Sequence, residues 1–321
     1  MTENTPPIPP GSTPQAPNWQ QQVIDKFAYA ALEEQRRARR WGIFFKLLGF
    51  AYLLLLLLVF KSGGMGGAAL AGGRHTALIE INGVIAADGE ASADNIVTAL
   101  RDAFENKHSA AVILRINSPG GSPVQAGYVN DEIVRLREKY PEKKLYAVIT
   151  DMCASGGYYI AAAADEIYAD KASVVGSIGV LMDGFGFTGT MEKLGVERRL
   201  LTAGEDKGFL DPFSPLKPEE VEHARGLLRE IHEQFVNTVK RGRGDRLAKD
   251  PNLFTGLIWT GVQALELGLV DALGSASYVA REVVKAEDIV DYTPHEPVLD
   301  RFARRLGRTM AEAVAGRIEL R

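Results

Sequence analysis

The sequence predicts an α/β protein with a layered, mainly parallel sheet, preceded by a single N-terminal transmembrane helix. From Thr76 onward short apolar strands alternate with amphipathic helices, and residues 43–60 form one apolar run. Such βαβ alternation implies parallel strands joined by right-handed crossovers. With 321 residues, 46% hydrophobic and 24% charged, the chain can bury a sizeable core and is neither disordered nor a multi-span membrane protein.

Composition also excludes several classes of function. The net charge is -4, and no basic face stands out beyond the N-terminal region, which argues against nucleic acid as a partner. The single cysteine, Cys153, excludes an intrachain disulfide and any multi-cysteine metal site. No motif implies a metal or a nucleotide, so we expect no cofactor.

Residues 43–60 are long enough to span a bilayer and are interrupted only by Lys46, near one end, where a long side chain can snorkel to the interface. A buried core helix is the alternative, but it would normally show polar positions on one face. Residues 1–61 carry seven Lys and Arg against four acids, and the basic cluster directly precedes the span. The positive-inside rule then leaves the N-terminus in the cytoplasm and the folded domain across the inner membrane, in the periplasm of a Gram-negative cell.

The chain divides into five segments. We expect a cytoplasmic tail over 1–42, disordered as far as residue 18, then the uncleaved signal anchor and a flexible linker over 61–75. A cleaved signal peptide is the competing interpretation, but the region before the apolar run is too long for one. The folded domain covers 76–296, and an amphipathic helix is predicted over 297–321.

Periodicity and capping residues place the elements of the folded domain. We predict strands over 76–81, 110–116, 145–149 and 166–169, an apolar stretch over 176–182, and helices beginning after Ser92, over 125–140, after Ser155 and over 218–240.

Two of the turns that follow strands contain residues suited to acyl transfer. Gly120 and Gly121 follow the second strand and permit close approach of a ligand to the backbone, whose N–H groups can form half of an oxyanion hole. Ser155 lies at a strand-to-helix turn, where a hydroxyl stands exposed beside the N–H of Gly156. The alternatives are an ordinary turn and a helix N-cap. Cys153 is a second candidate nucleophile, but its neighbours suggest burial.

A serine nucleophile needs a base. The histidines, His75, His108, His223, His232 and His295, have no motif around them. The other possibility is a lysine whose pKa is lowered by desolvation.

Lys207 is the candidate lysine, in a loop rich in Gly, Pro and aromatic residues. A solvated surface lysine is the alternative, and the adjacent Glu205 and Asp206 would have to face away. Ser177, in a tight Gly-Ser turn, offers a hydroxyl that can orient the base; a β-bulge is the alternative there.

Over roughly residues 76–284 the chain resembles the signal peptide peptidase A (SppA) family of membrane-anchored serine peptidases. The motifs that carry the resemblance are Asn117-Ser118-Pro119-Gly120-Gly121, Ala154-Ser155-Gly156-Gly157-Tyr158-Tyr159, Gly176-Ser177-Ile178-Gly179-Val180, Trp259-Thr260-Gly261 and the segment 264–271. The sequence departs from the family at Cys153, at Gly208 and at the acids beside Lys207.

The resemblance implies a fold like that of Clp protease and the crotonases. It implies that Ser155 is the nucleophile, Lys207 the general base and Ser177 the hydroxyl that orients the lysine. It also implies apolar peptide substrates such as cleaved signal peptides, and, for this short single-copy form, a homo-oligomeric ring in which one site takes residues from two chains. A crotonase-like acyl-CoA enzyme and a catalytically silent, membrane-tethered scaffold are the alternative functions.

Overall fold

A computed structural model describes residues 19–63 and 73–294. The helices are α1 (Trp19–Gly63), α2 (Ala93–Glu105), α3 (Pro123–Lys139), α4 (Gly156–Ala161), α5 (Thr188–Leu194), α6 (Pro218–Arg243), α7 (Gly261–Glu266) and α8 (Ala276–Tyr278). The strands are β1 (His75–Asn82), β2 (Ser109–Ser118), β3 (Leu145–Ala154), β4 (Glu166–Ala169), β5 (Val174–Gly176), β6 (Ile258–Thr260), β7 (Ala272–Leu273) and β8 (Ile289–Asp291). Every element predicted within these residues has a counterpart, except the apolar stretch over 176–182.

The N-terminal unit contains α1, which runs without a break through the basic cluster and the predicted span. Among the residues whose side chains are described, no helix is apolar over a length sufficient to cross a membrane. The predicted disordered tail, most of the linker and the predicted C-terminal helix lie outside the described residues.

The folded domain is built on one eight-stranded sheet. Its strands follow the order β6-β5-β3-β2-β1-β8, and β4 pairs with β3 and β7. All of the pairs are parallel except β5 with β6. The parallel, layered sheet predicted from βαβ alternation is therefore confirmed.

Both faces of the sheet are buried, as expected of parallel strands covered by helices. Alternate residues of β1, β2 and β3, such as Ile79, Leu114 and Ala147, pack with α2, α3, α4 and α6 in the larger core cluster. Their neighbours, such as Ile113 and Val148, pack against α8 and the turn of π-helix that follows it. The period of two in these strands fixes which side chains face which layer.

Strand β3 is longer than predicted. The apolar run ends at Ile149, but the strand continues to Ala154 through Thr150, Asp151 and Met152, none of which is fully buried. Its first half pairs with β4 and its second half with β5, so the polar residues lie where the neighbouring strand changes. Ser155 is therefore the first residue after the carboxyl end of β3.

Candidate active site

Ser155 occupies the sharp turn between β3 and α4 with a backbone φ of 50° and ψ of -121°. A positive φ is unfavourable for any residue with a Cβ and persists only where the surroundings enforce it. Here the Ser155 N–H donates to Gly176 O at 2.9 Å, and Ser155 O accepts the first hydrogen bond of α4 from Tyr159 N at 3.0 Å. The turn is thus held from both sides in a strained conformation.

The side chain of Ser155 does not cap helix α4. Ser92 and Ser122 cap α2 and α3 by accepting N–H groups three residues on, each at 3.4 Å. Ser155 stands at the same position before α4, yet its side chain makes no capping hydrogen bond. The hydroxyl is only partly buried and is left available for chemistry.

Gly120 brings the neighbouring turn against Ser155. Its φ is 100°, and a Cβ built on it would lie 2.6 Å from the Cβ of Ser155 and 2.9 Å from Ala154 O. Gly121, with φ of 149°, is as constrained, since its Cβ would lie 2.2 Å from Ile85 O. Only residues without side chains allow these backbones to approach so closely.

The backbone donors at this contact are not equivalent. The Gly120 N–H donates to Ser118 Oγ at 3.1 Å, so it is already committed. The N–H groups of Gly121 and Gly156 donate to no acceptor among the residues that the structure describes. A Cβ built on Gly156 would lie 3.3 Å from Gly121 N, so the two glycines are close neighbours. The N–H of Gly120 is therefore occupied, whereas those of Gly121 and Gly156 remain free to donate to a ligand.

A cavity of about 560 Å³ opens beside Ser155. It also takes in Gly121, Gly156 and Ser177. Its walls come from five segments of the chain and include the apolar residues Pro119, Pro123, Val180, Leu181, Ile231 and Phe235. The site thus joins a serine and two free N–H groups to a space suited to an apolar side chain.

Ser177 is the second non-glycine residue of this cavity with a positive φ, at 52°. Its N–H donates to Leu257 O at 2.8 Å, and its carbonyl accepts from Gly179 N at 2.9 Å. The hydrogen bonds of this turn come from backbone groups, and the hydroxyl has no partner among the described residues. The positive φ of Gly176 and Ser177 ends β5, which explains why the apolar stretch over 176–182 is not a strand.

Lys207 does not line the cavity. It lies in the loop between α5 and α6, where its side chain is exposed and its N–H donates to Gly204 O at 3.2 Å. Within one chain the structure brings together Ser155, Ser177, Gly121 and Gly156 and leaves Lys207 apart from them.

The other candidate groups do not replace Lys207. Of the four histidines that the structure describes, none lines the cavity. His75 is buried against Tyr292, and His232 contacts Ile178 O at 3.2 Å. Cys153 is fully buried, and burial raises the pKa of its thiol far above the usual range, so it is no competing nucleophile.

Ser118 and α6 contribute to the site without having been predicted from the sequence. Ser118 Oγ donates to Gly83 O at 2.7 Å while accepting the Gly120 N–H, so it clamps the glycine turn to the end of β1. Ser118 belongs to a motif that carries the resemblance, but a serine before Pro-Gly-Gly is also an ordinary turn residue, so its clamping role was not predicted. The periodicity of α6 marks Ile231 and Phe235 as inward-facing, but it does not say that they face a cavity.

The chain is similar to known proteases over the folded domain. The model of peptidase family S49 matches residues 137–290. The chain is 38% identical over 202 residues to a putative protease of Synechocystis, covering 63% of this chain and 70% of that protein. It is 31% identical over 223 residues to the putative signal peptide peptidase SppA of Enterococcus faecium, covering 67% and 64%.

A further match is to a Na(+)/H(+) antiporter NhaA of Brucella melitensis, 49% identical over 175 residues. This match covers 54% of the chain but only 24% of the antiporter. The chain thus spans about a quarter of the length of that relative.

Proposed function

The chain belongs to peptidase family S49 and is a serine peptidase; on that premise we propose that Ser155 is its nucleophile and that Lys207 of a neighbouring chain is the general base. The observation that carries the proposal is the strained, uncapped Ser155 beside two free N–H groups. The match to peptidases also disfavours the acyl-CoA and scaffold alternatives.

The proposed reaction is amide hydrolysis through an acyl-enzyme. The neutral amine of Lys207, oriented by the Ser177 hydroxyl, takes the proton of Ser155, and Oγ attacks the scissile carbonyl. The N–H groups of Gly121 and Gly156 stabilise the resulting oxyanion. The proton passes to the leaving amine, and water then releases the acyl group.

The place of Lys207 outside the cavity supports sharing of the site between chains. The stretch 181–201, which precedes Lys207 in the chain, exposes several large apolar side chains, with Leu201 96%, Phe185 81% and Leu181 79% exposed. Several exposed large apolar side chains in one stretch of chain are consistent with a protein interface. A homo-oligomeric ring would bury this surface and carry Lys207 to the Ser155 of the next chain.

The proposed substrates are extended apolar peptides such as cleaved signal peptides. The apolar walls of the cavity support this class, because they would desolvate an apolar side chain beside the scissile bond. The apolar run over 43–60, with the basic cluster before it, supports anchoring in the inner membrane with the N-terminus in the cytoplasm and the domain in the periplasm. Resistance of the full chain to alkaline extraction from membranes would support the anchor, and release would refute it.

Hydrolysis of an internally quenched peptide rich in Ala and Leu tests the function. The full chain in detergent should cleave it, while Ser155→Ala and Lys207→Ala should each lose activity and keep the thermal unfolding midpoint of the wild type. A Ser155→Ala protein with full activity would place the nucleophile elsewhere.

A further inference from the structure

Glu220 is a buried carboxylate outside the cavity, and the mechanism proposed above does not use it. It stands in the first turn of α6 with 6% of its surface exposed. Acids in the first helical turn interact favourably with the helix dipole from the surface, without need of burial. Burial of a carboxylate is costly unless specific partners compensate it, so the partners of Glu220 indicate its role.

The partners of Glu220 lie in two directions. Its Oε1 pairs with Lys217 Nζ at 3.2 Å, and that lysine is about half exposed. Its Oε2 accepts the backbone N–H of Leu210 at 3.1 Å. The second contact reaches out of the helix to the loop that carries Lys207.

Leu210 is itself strained, with a φ of 51° in a residue that has a branched side chain. It ends a series of tight turns in which Lys207 N donates to Gly204 O, Phe209 N to Asp206 O, and Asp211 N to Gly208 O. These turns close on themselves within the loop, whereas Glu220 supplies a hydrogen bond from outside it. Since a strained backbone persists only where its surroundings fix it, the carboxylate stabilises the turn three residues after Lys207.

A second contact holds the same loop to the same helix. The ring of Phe209 meets that of His223 edge to face, with centroids 5.6 Å apart. Farther along α6, Ile231 and Phe235 line the Ser155 cavity. One helix therefore carries both the loop of Lys207 and part of the wall beside Ser155.

We propose that Glu220 is a positioning residue of the peptidase: it holds the Leu210 turn so that Lys207 is presented to Ser155 in one orientation. The proposal rests on the function proposed above. Glu220 touches neither substrate nor reacting atoms, and it acts through the loop backbone. Its loss should therefore lower kcat and leave KM unchanged.

The first test compares three variants of the full chain in detergent on the quenched Ala- and Leu-rich peptide. Glu220→Ala should lower kcat about 100-fold, the order of loss expected when a reacting group is misplaced by about 1 Å. Glu220→Gln should be intermediate, because its amide oxygen can still accept the Leu210 N–H. Glu219→Ala, the exposed neighbour on the same helix, should match the wild type. A Glu220→Ala protein with wild-type kcat, or a loss carried by KM, would overturn the proposal.

The second test asks whether Glu220→Ala impairs the half of the site that contains Ser155 or the half that contains Lys207. Co-expressed with Ser155→Ala, Glu220→Ala should regain activity, because each chain supplies the half that the other lacks. Co-expressed with Lys207→Ala it should stay inactive. Suppose instead that co-expression with Ser155→Ala restores activity to Lys207→Ala but not to Glu220→Ala. The Glu220→Ala substitution then impairs more than the presentation of Lys207, and the positioning role is refuted. If no pair regains activity, sharing between chains fails, and the effect on kcat and KM alone decides the role of Glu220.

Discussion

Ser155 and Gly120 approach each other more closely than two residues with side chains can. The Cβ of Ser155 occupies space that a side chain at residue 120 would need, and the φ of Gly120 is positive. The glycine is therefore required by its neighbour as well as by its own backbone. Its N–H, bound to Ser118, keeps the turn in register with the end of β1.

Replacing Gly120 by Ala should reduce kcat/KM at least about 100-fold, since the turn that bears Gly121 must move away from Ser155. Gly127 is the matched control, because it lies inside α3 and a Cβ added to it would meet no atom within 4 Å. Gly127→Ala should keep full activity and gain up to about 1 kcal/mol of stability. Kinetics and thermal unfolding of both variants check this, and an active Gly120→Ala protein would contradict the account.

Cys153 should be inert in the folded protein. Burial raises the pKa of its thiol and excludes reagents, so N-ethylmaleimide should neither label it nor inhibit hydrolysis. The chain has one cysteine, so mass spectrometry before and after denaturation reads this residue alone. Inhibition with labelling of the native protein would reopen the choice of nucleophile.

At the scale of elements, periodicity located the strands and helices of the folded domain but not the details that build the site. The apolar run 145–149 marks the first half of β3, while its second half, which leads into Ser155, pairs with β5. Whether Ser155 caps a helix or serves as nucleophile was open from sequence, because both roles suit a serine at that turn. The positive φ of Ser155 is held by groups distant in sequence, since its N–H donates to Gly176 O and its Cβ packs against Gly120.

A buried ion pair joins the end of α6 to Asp271, at the end of the segment 264–271. The guanidinium of Arg243, fully buried, meets both carboxylate oxygens of Asp271, at 2.7 and 2.9 Å. It also donates to Gly268 O. Burial alone would raise the pKa of Asp271, but hydrogen bonds from Arg243 and from Ile167 N–H together hold it below its ordinary value.

Asp271→Asn should destabilise the protein by about 3–5 kcal/mol, the cost of leaving a buried charge unpaired. Because the folded-state pKa of Asp271 is depressed, its contribution is present above about pH 4 and is lost as the pH falls through the folded value. Urea unfolding should thus show a large difference in the free energy of unfolding between wild type and variant at neutral pH, and this difference should narrow in acid. Asp245→Asn, at an exposed position nearby, should change neither the free energy of unfolding nor its dependence on pH. A difference independent of pH would argue against the ion pair.

At the scale of the whole molecule, the sheet and α6 together form the cavity that contains Ser155, and Lys207 lies outside it. The sequence resemblance named Ser155, Ser177 and Lys207, yet no pattern in one chain tells whether they meet within it or across an interface. That depends on where the loop between α5 and α6 lies, and the loop has little apolar periodicity to predict it. The structure leaves Lys207 on the exposed side of that loop.

The measurement that tests the central claim most directly is hydrolysis by a co-expressed mixture of Ser155→Ala and Lys207→Ala chains, purified through one tag on each. Each variant alone should be inactive. In a ring with head-to-tail interfaces, random mixing pairs an intact Ser155 with an intact Lys207 at about one interface in four, so about a quarter of wild-type activity should return. A mixture as inactive as its components would contradict a site shared between chains.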